Sequence, residues 1–266
     1  MRTTLLISTY NWPQALNLCL KSVLRQTIMP DEVVIADDGS TEDTQKLISS
    51  FKENSKVPFV HVWHEDKGFR LSEIRNKGIA KATGDYIIQI DGDIILDKHF
   101  IEDHIKIAEK GYFVCGSRTK LNEESSKTFL ELGDFKPNII KNSEVYFTLN
   151  AIRNGFLRRC LAKKYGQKNI MRLRGCNMAF WKSDIIKVNG YNEELAAWGH
   201  EDSEMAFRLY FSGVKKKFLK FGGVQYHIYH KELSRDCERA HYAEIIKVKE
   251  NKIKWCNNGI DKHLQQ

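Results

Sequence analysis

Two pairs of carboxylates in this chain of 266 residues have a spacing that suits metal binding and proton transfer. Asp91 and Asp93 flank one glycine directly after the apolar residues 86–90, so both can face a single cation and its ligand. Carboxylate oxygens suit Mg²⁺ or Mn²⁺, which also bind diphosphate oxygens. Glu201 and Asp202 are adjacent, and a carboxylate beside a hydroxyl can accept its proton. Each pair also has an ordinary interpretation, as a polar turn or as the acidic first turn of a helix.

Asp37 and Asp38 belong to another polar cluster, which follows the apolar residues 32–36. Their carboxylates can accept hydrogen bonds from a nucleobase N–H or from ribose hydroxyls. The same residues suit an Asx turn in which Ser40 or Thr41 caps the next helix. Both interpretations can hold together.

The elements that must position these clusters alternate between strand and helix over roughly the first 120 residues. The predicted strands are residues 3–8, 32–36, 59–63, 86–90 and 112–115, and the predicted helices are residues 42–53, 72–81 and 98–110, with one more starting at Pro13. Apolar strands that alternate with helices indicate a parallel sheet covered on both sides. Ligands of such sheets bind beyond the carboxyl ends of the strands. Residues 8–11, 37–40 and 91–93 follow strand ends, so we expect them to meet at one edge of the sheet.

Composition restricts the class of protein. Lys and Arg number 42 against 34 Asp and Glu, which gives a net charge of +8, and 42% of the residues are hydrophobic. That content buries a core and excludes a disordered chain. The six cysteines form no CxxC pair, so we expect reduced thiols. The first residues turn polar too early for a signal peptide, and no apolar run reaches the roughly 18 residues that cross a bilayer. We therefore expect a cytoplasmic protein, or one peripheral at the inner face of the cell membrane.

The second half of the chain is basic and less regular. Apolar spacing over residues 147–165 predicts one amphipathic helix, and residues 201–210 predict a short one. Residues 151–174 carry eight basic side chains and no acidic one. They could form a solvated face, contact an anionic membrane, or attract an acidic or diphosphate-bearing acceptor. Nucleic acid is not an expected partner, because no helix-turn-helix, zinc or RNA-binding signature accompanies the charge.

In their order along the chain, these motifs resemble the nucleotide-sugar glycosyltransferases of family 2, which have the GT-A fold. The donor-side motifs are residues 7–11, residues 33–41, Gly68-Phe69-Arg70 with residues 74–78, and Asp91-Gly92-Asp93. Residues 174–180 and Trp198-Gly199-His200-Glu201-Asp202 resemble the acceptor-side region shared by bacterial chondroitin polymerases and β-1,4-galactosyltransferases. That region usually carries Trp-Gly-x-Glu-Asp, and the resemblance extends over residues 1–230.

The resemblance implies a role for each matching residue. The nucleotide pocket would be lined by Ser8, Tyr10 and Asn11, with Asp38 on uracil or ribose, Arg70 on the base or diphosphate, and Asp91 on ribose. Asp93 would coordinate the metal, and a histidine would complete that site, for which we favour His227 over His230. Asp202 would be the catalytic base, and Glu201 would bind or orient the acceptor.

Two of these side chains keep a second interpretation. Arg70 is preferred to Arg75 because it precedes a helix, where a loop residue can reach the edge of the sheet. Arg75 could instead form an ion pair on the helix surface. Trp198 could stack on a sugar ring or lie in the core.

The predicted architecture is one α/β domain of the GT-A type, with a mostly parallel central sheet and helices on both faces. Residues 1–116 would bind the nucleotide-sugar, residues 117–230 would complete the acceptor and catalytic half, and residues 231–266 would form a helical tail.

The resemblance implies an inverting glycosyltransferase that depends on Mn²⁺ or Mg²⁺. It would move a hexose or N-acetylhexosamine from a UDP-sugar to a glycan or lipid-linked glycan, in bacterial surface polysaccharide synthesis. A sugar nucleotidyltransferase is one alternative, but residues 8–13 lack its Gly-rich basic phosphate loop. A non-catalytic nucleotide- or sugar-binding module is the other, and it would have no need of Asp93, Glu201 and Asp202.

Overall fold

The computed structural model describes residues 1–135, 145–166, 168–197, 199–231 and 237–264. Its strands are, in chain order, β1 (Thr3–Thr9), β2 (Glu32–Asp37), β3 (Phe59–Trp63), β4 (Tyr86–Asp91), β5 (Ile94–Leu96), β6 (Tyr112–Gly116), β7 (Thr119–Leu121), β8 (Val145–Tyr146), β9 (Met178–Trp181), β10 (Lys215–Leu219) and β11 (Gln225–His227). Its α-helices are α1 (Pro13–Val23), α2 (Glu42–Asn54), α3 (Leu71–Lys81), α4 (Phe100–Ile107), α5 (Glu123–Leu132), α6 (Gly155–Leu161), α7 (Lys182–Lys187), α8 (Glu201–Phe211) and α9 (Glu238–Glu250).

The larger sheet has the strand order β10-β6-β9-β4-β1-β2-β3. Its strand pairs are parallel except where β9 runs antiparallel to both β4 and β6. A smaller sheet has the order β5-β11-β7-β8. The prediction of a mostly parallel central sheet is therefore confirmed.

Side chains of the central strands alternate between two hydrophobic layers, as the two-residue period of a strand requires. Leu6 and Val34 face the layer that is covered by α3, α7, α8 and α9. Leu5 and Val33 face the layer that is covered by α1, α2 and α4. Helices on both faces explain why the middle residues of β1 and β2 are apolar on both sides of the sheet.

The predicted strands and helices of the first 116 residues are all present, with small differences at their ends. The largest is at α4, which was predicted over residues 98–110 and spans Phe100–Ile107. The helix predicted over residues 201–210 is present as α8. The strands β5, β7, β8, β9, β10 and β11 were not predicted, because each has five residues or fewer and shows little periodicity.

One helix over residues 147–165 was a wrong prediction. The segment holds a 3₁₀ helix, Thr148–Ala151, and then the separate α6. The side-chain oxygen of Asn154 accepts a hydrogen bond from the Leu157 N–H at 3.0 Å, which starts a new helix at that point. Leu149 and Phe156, whose spacing suggested a buried face, are exposed.

The region beyond residue 231 contains α9 and a 3₁₀ helix, Ile260–His263. Ile245 and Val248 of α9 pack into the same hydrophobic layer as α8. None of the described helices combines the length and the apolar character that crossing a membrane requires.

Candidate active site

The register of the central strands brings the predicted polar clusters to one edge of the sheet. Ser8 of β1 is paired with Asp91 of β4, and Thr9 is paired with Asp37 of β2. The amide of Gly92 donates to the Ser8 carbonyl at 2.7 Å, so the chain turns directly over the end of β1. The predicted convergence of residues 8–11, 37–40 and 91–93 is therefore confirmed.

Asp93 lies beside two histidines. Its Oδ2 atom is 3.4 Å from the Nε2 atom of His227 and 3.3 Å from the Nε2 atom of His230. The pairing of β5 with β11, extended by a 3.0 Å hydrogen bond from the Ile228 N–H to the Asp93 carbonyl, joins these distant parts of the chain. One potential ligand atom from each of the three side chains lies within 4.8 Å of the others.

These three side chains fit a divalent cation. The Oδ1 atom of Asp93 is buried and has no hydrogen-bond partner, so a cation would satisfy an otherwise costly group. Burial lowers the pKa of His227 to about 4, which keeps its imidazole neutral and able to bind a metal. The expected ligand was His227 rather than His230, whereas the structure brings both histidines to Asp93. The set combines one carboxylate, the ligand type that Mg²⁺ and Mn²⁺ prefer, with two imidazoles, which suit transition ions.

Arg75 of α3 is the centre of the second half of the site. Its Nη1 atom is 3.0 Å from an oxygen of Glu201 and 3.0 Å from an oxygen of Asp202. Its Nη2 atom is 3.0 Å from Asp91, and its Nε atom donates to the Ser8 hydroxyl at 3.1 Å. The side chain is 1% exposed, so the alternative of an ion pair on the helix surface is wrong.

Arg70 has a different position. Its guanidinium contacts Glu73 at 3.1 Å and the Glu65 carbonyl, while its backbone N–H donates to Asp38 at 2.9 Å. The other oxygen of Asp38 is 2.7 Å from His64 Nε2. The backbone of Arg70 therefore reaches Asp38 at the edge of the sheet, while its guanidinium contacts Glu73 and the Glu65 carbonyl.

The predicted nucleotide-side residues near the start of α1 lie close to the Asp37 turn. Asn11, in the left-handed region with φ of 45°, accepts a hydrogen bond from the Thr41 N–H at 2.8 Å. The Tyr10 hydroxyl donates to Asp66 at 2.8 Å, and the ring is half-exposed. Asp37 accepts from the Ser40 N–H at 2.8 Å, but α2 has no side-chain cap, so the predicted cap by Ser40 or Thr41 is wrong. These contacts leave the Tyr10 ring open to a ligand.

Asp202 is in the first turn of α8, largely buried beside Glu201. Burial and the charge of Glu201 raise its pKa to about 8, against the opposing effect of Arg75. Three carboxylates therefore share one guanidinium, because Asp91 also contacts Arg75. A carboxylate with a raised pKa is a stronger proton acceptor, as a general base requires.

Three residues support Asp202: Gly175 lies in the motif of residues 174–180, whereas Tyr191 and Gln89 were not predicted as site residues. The Tyr191 hydroxyl lies 3.4 Å from Asp202 and donates to Gln89 at 2.8 Å. Gln89 in turn donates to the Gly175 carbonyl at 3.0 Å. A Cβ atom on Gly175 would lie 2.0 Å from an Asp202 oxygen, so only glycine leaves room for this carboxylate. No motif in the sequence links residues so far apart along the chain.

Arg118 was also missed. It follows β6 and lowers the pKa of His227 through its charge, in addition to burial. Its guanidinium is 4.0 Å from Cys176 Sγ and forms no ion pair with any described residue. A cation beside the candidate metal ligands is thus available to an anionic ligand. Trp198 lies outside the described residues.

The chain is similar to known glycosyltransferases. The family model described as Glycosyl transferase family 2 matches residues 4–180, and the model for the N-terminal domain of galactosyltransferase matches residues 157–231. The chain belongs to glycosyl transferase family 2.

Curated relatives include the chondroitin synthase of Escherichia coli, 26% identical over 241 residues, with 84% of this chain and 34% of the relative aligned. Another is the validoxylamine A glucosyltransferase of Streptomyces hygroscopicus subsp. limoneus, 24% identical over 234 residues, with 79% of this chain and 48% of the relative aligned. This chain thus spans a third to a half of the length of these relatives.

Two solved structures share the fold. Staphylococcus aureus TarS 1-349 in complex with UDP has a TM-score of 0.66 at 16% identity, with 99% of this chain and 70% of that chain covered. The Pyrobaculum calidifontis mannosyltransferase PcManGT in complex with GDP-Man and Mn²⁺ has a TM-score of 0.64 at 17% identity, with 92% and 64% covered. The fold is that of the GT-A glycosyltransferases.

Proposed function

We propose that this chain is an inverting, metal-dependent glycosyltransferase that moves a hexose or N-acetylhexosamine from a UDP-sugar to a hydroxyl of a glycan or lipid-linked glycan. The observation that carries the proposal is the position of Arg75, which bonds Asp91 and Asp202 at 3.0 Å each. Arg75 thereby connects two parts of the site: the edge of the sheet, where the candidate metal ligand Asp93 lies, and the candidate base Asp202.

Asp202 would remove the proton of the acceptor hydroxyl as that oxygen attacks the sugar carbon. A hydroxyl is a poor nucleophile at neutral pH, so the reaction needs this acceptor of protons. Arg75 and Gly175 hold the carboxylate in place, and Glu201, on the same guanidinium, would orient the acceptor. Direct attack in a single displacement inverts the sugar carbon.

The leaving nucleoside diphosphate develops negative charge that must be stabilised. Asp93, His227 and His230 would hold Mn²⁺ or Mg²⁺, and the cation would supply part of that stabilisation when bound. Arg118, which has no carboxylate partner among the described residues, would face the same diphosphate. The residues proposed to bind the nucleotide-sugar donor are Ser8, Tyr10, Asn11, Asp38, Arg70 and Asp91.

The relatives support a saccharide acceptor. Several are named as synthases of chondroitin, hyaluronan and poly-beta-1,6-N-acetyl-D-glucosamine. A role in surface polysaccharide synthesis follows by analogy. A lipid-linked acceptor would place the enzyme at the periphery of a membrane.

A donor and metal screen tests this function. Thermal unfolding is measured with UDP- and GDP-sugars, each with and without Mn²⁺ or Mg²⁺. We expect a UDP-sugar to raise the melting temperature only with metal, and the effect to vanish in Asp93→Ala. His99→Ala, a histidine that pairs with Glu102 instead of Asp93, is the matched control and should keep the full effect. Metal-independent stabilisation, or none by any nucleotide-sugar, would contradict the proposal.

A further inference from the structure

Residues 146–157 expose an unusual number of large apolar side chains. The exposed ones are Tyr146, Phe147, Leu149, Ile152, Phe156 and Leu157, with exposures between 38% and 69%. Exposed apolar residues are ordinary when scattered singly, but a contiguous group indicates an interaction surface. We call residues 146–157 the apolar segment.

The polar side chains of the same segment point the other way. Asn150 donates to the Arg118 carbonyl at 2.9 Å and accepts from Lys220 at 3.0 Å. Arg153 bonds the buried carboxylate of Asp103 at 2.8 Å. The segment is therefore held in place through its polar groups while its apolar groups face outward, which is the reverse of an ordinary soluble loop.

The backbone confirms that this arrangement is built into the chain. The Asn154 N–H donates to the Phe221 carbonyl at 3.0 Å, and Arg158, 4% exposed, also contacts Asp103. Phe147 has a φ of 63°, which is a costly conformation for a bulky residue. A loop that is anchored through its polar groups and keeps Phe147 outside has the features of an interaction surface.

The basic residues beside the apolar segment indicate an anionic partner. Arg159 and Lys164 are exposed next to it, and no acidic residue occurs between positions 146 and 174. An apolar face bordered by cations complements a surface with acyl chains beneath anionic head groups. We propose that residues 146–157 insert into an anionic lipid surface, flanked by the basic residues 159–164.

The segment lies close to the candidate active site. Tyr146 of β8 is paired with Lys120 of β7, and Lys120 is paired with His227 of β11. Neighbouring strands are about 4.8 Å apart, so two strand spacings separate Tyr146 from the candidate metal ligand. A lipid surface at this position would present a lipid-linked acceptor to the site, a role that rests on the proposed function.

Vesicle flotation tests the proposal. We compare vesicles of phosphatidylcholine alone with vesicles that also contain phosphatidylglycerol. The chain should float with the anionic vesicles at low salt, and Leu149→Ser/Phe156→Ser should weaken binding about tenfold or more. Arg159→Gln/Lys164→Gln should weaken binding only to anionic vesicles. Leu132→Ser, 70% exposed on α5, is the matched control and should bind as wild type.

Three results would overturn the proposal. They are no flotation of the wild type, an equal loss in Leu132→Ser, and sedimentation that shows a dimer broken by Leu149→Ser/Phe156→Ser, which would assign the face to a second copy. Transfer to a soluble acceptor is measured on the same variants and should be unchanged. Flotation without any transfer would instead refute the proposed function alone, so the two failures are distinguishable.

Discussion

The guanidinium of Arg75 lies between Asp91 and Asp202, with a nitrogen 3.0 Å from an oxygen of each. The first carboxylate ends a central strand and the second is in the first turn of α8, more than a hundred residues later. One buried cation therefore joins the two halves of the candidate site. It also offsets part of the repulsion among Asp91, Glu201 and Asp202.

Replacing Arg75 should damage stability and activity together. Arg75→Met leaves buried carboxylates without a counter-ion, which costs about 3–5 kcal/mol in the free energy of unfolding. Arg75→Lys keeps the charge but cannot make the same set of planar contacts, so it should recover stability only in part. Urea unfolding measures the free energy of unfolding of both variants, and a transfer assay measures their activity. Arg70→Met, which removes a partly exposed pair with Glu73, should cost about 1 kcal/mol or less. Equal effects of Arg70→Met and Arg75→Met would contradict this role.

The rate of transfer should rise with pH. The proton-accepting form of Asp202 is the carboxylate, and burial with the charge of Glu201 raises its pKa to about 8. The value of kcat/KM should therefore increase as the pH approaches 8 and level off above it. Glu201→Gln removes a negative charge and should move the inflection to lower pH.

The measurement is a pH profile at saturating Mn²⁺. Glu123→Gln removes an exposed carboxylate from the first turn of α5 and should leave the inflection in place. An inflection that does not move in Glu201→Gln would show that the charge of Glu201 does not raise the pKa of Asp202.

Gly175→Ala should displace the base while the protein stays folded. The added Cβ atom would lie 2.0 Å from an Asp202 oxygen, so the carboxylate must shift. A displacement of that size lowers kcat by about 10²-fold. Steady-state kinetics measure it. Gly155→Ala, where the nearest atom is 3.6 Å away, is the control and should keep the wild-type rate. A Gly175→Ala variant as active as Gly155→Ala would show that Asp202 is not held as described.

Five of the seven strands of the central sheet could be predicted, because they are short apolar runs with polar ends; β9 and β10 could not. Residues 32–36 and 86–90 stop at Asp37 and Asp91, and the parallel register then brings those carboxylates to one edge. A family resemblance gave the expected roles of Asp93, Glu201 and Asp202. In the structure, Arg75 connects Asp202 to Asp91, two residues before Asp93.

The role of Arg75 could not be predicted, because its partners come from three separate elements. A mostly polar helix such as α3 gives no periodic signal for a buried arginine. The opposite error occurred at residues 147–165, where apolar spacing predicted a buried helical face. Leu149 and Phe156 lack any packing partner among the described residues that would bury them, and Asn154 divides the segment. The periodicity of a sequence gives only the spacing of its apolar residues, whereas their burial depends on which other elements pack against them.

The most direct test of the account is single-turnover transfer by Asp202→Asn, with UDP-sugar binding measured in parallel. Asparagine keeps the size of the side chain but cannot accept the hydroxyl proton. We expect transfer to fall by about 10²–10⁴-fold with donor affinity unchanged, while Asp43→Asn, an exposed acid in the first turn of α2, behaves as wild type. Transfer by Asp202→Asn at the wild-type rate would contradict the central claim.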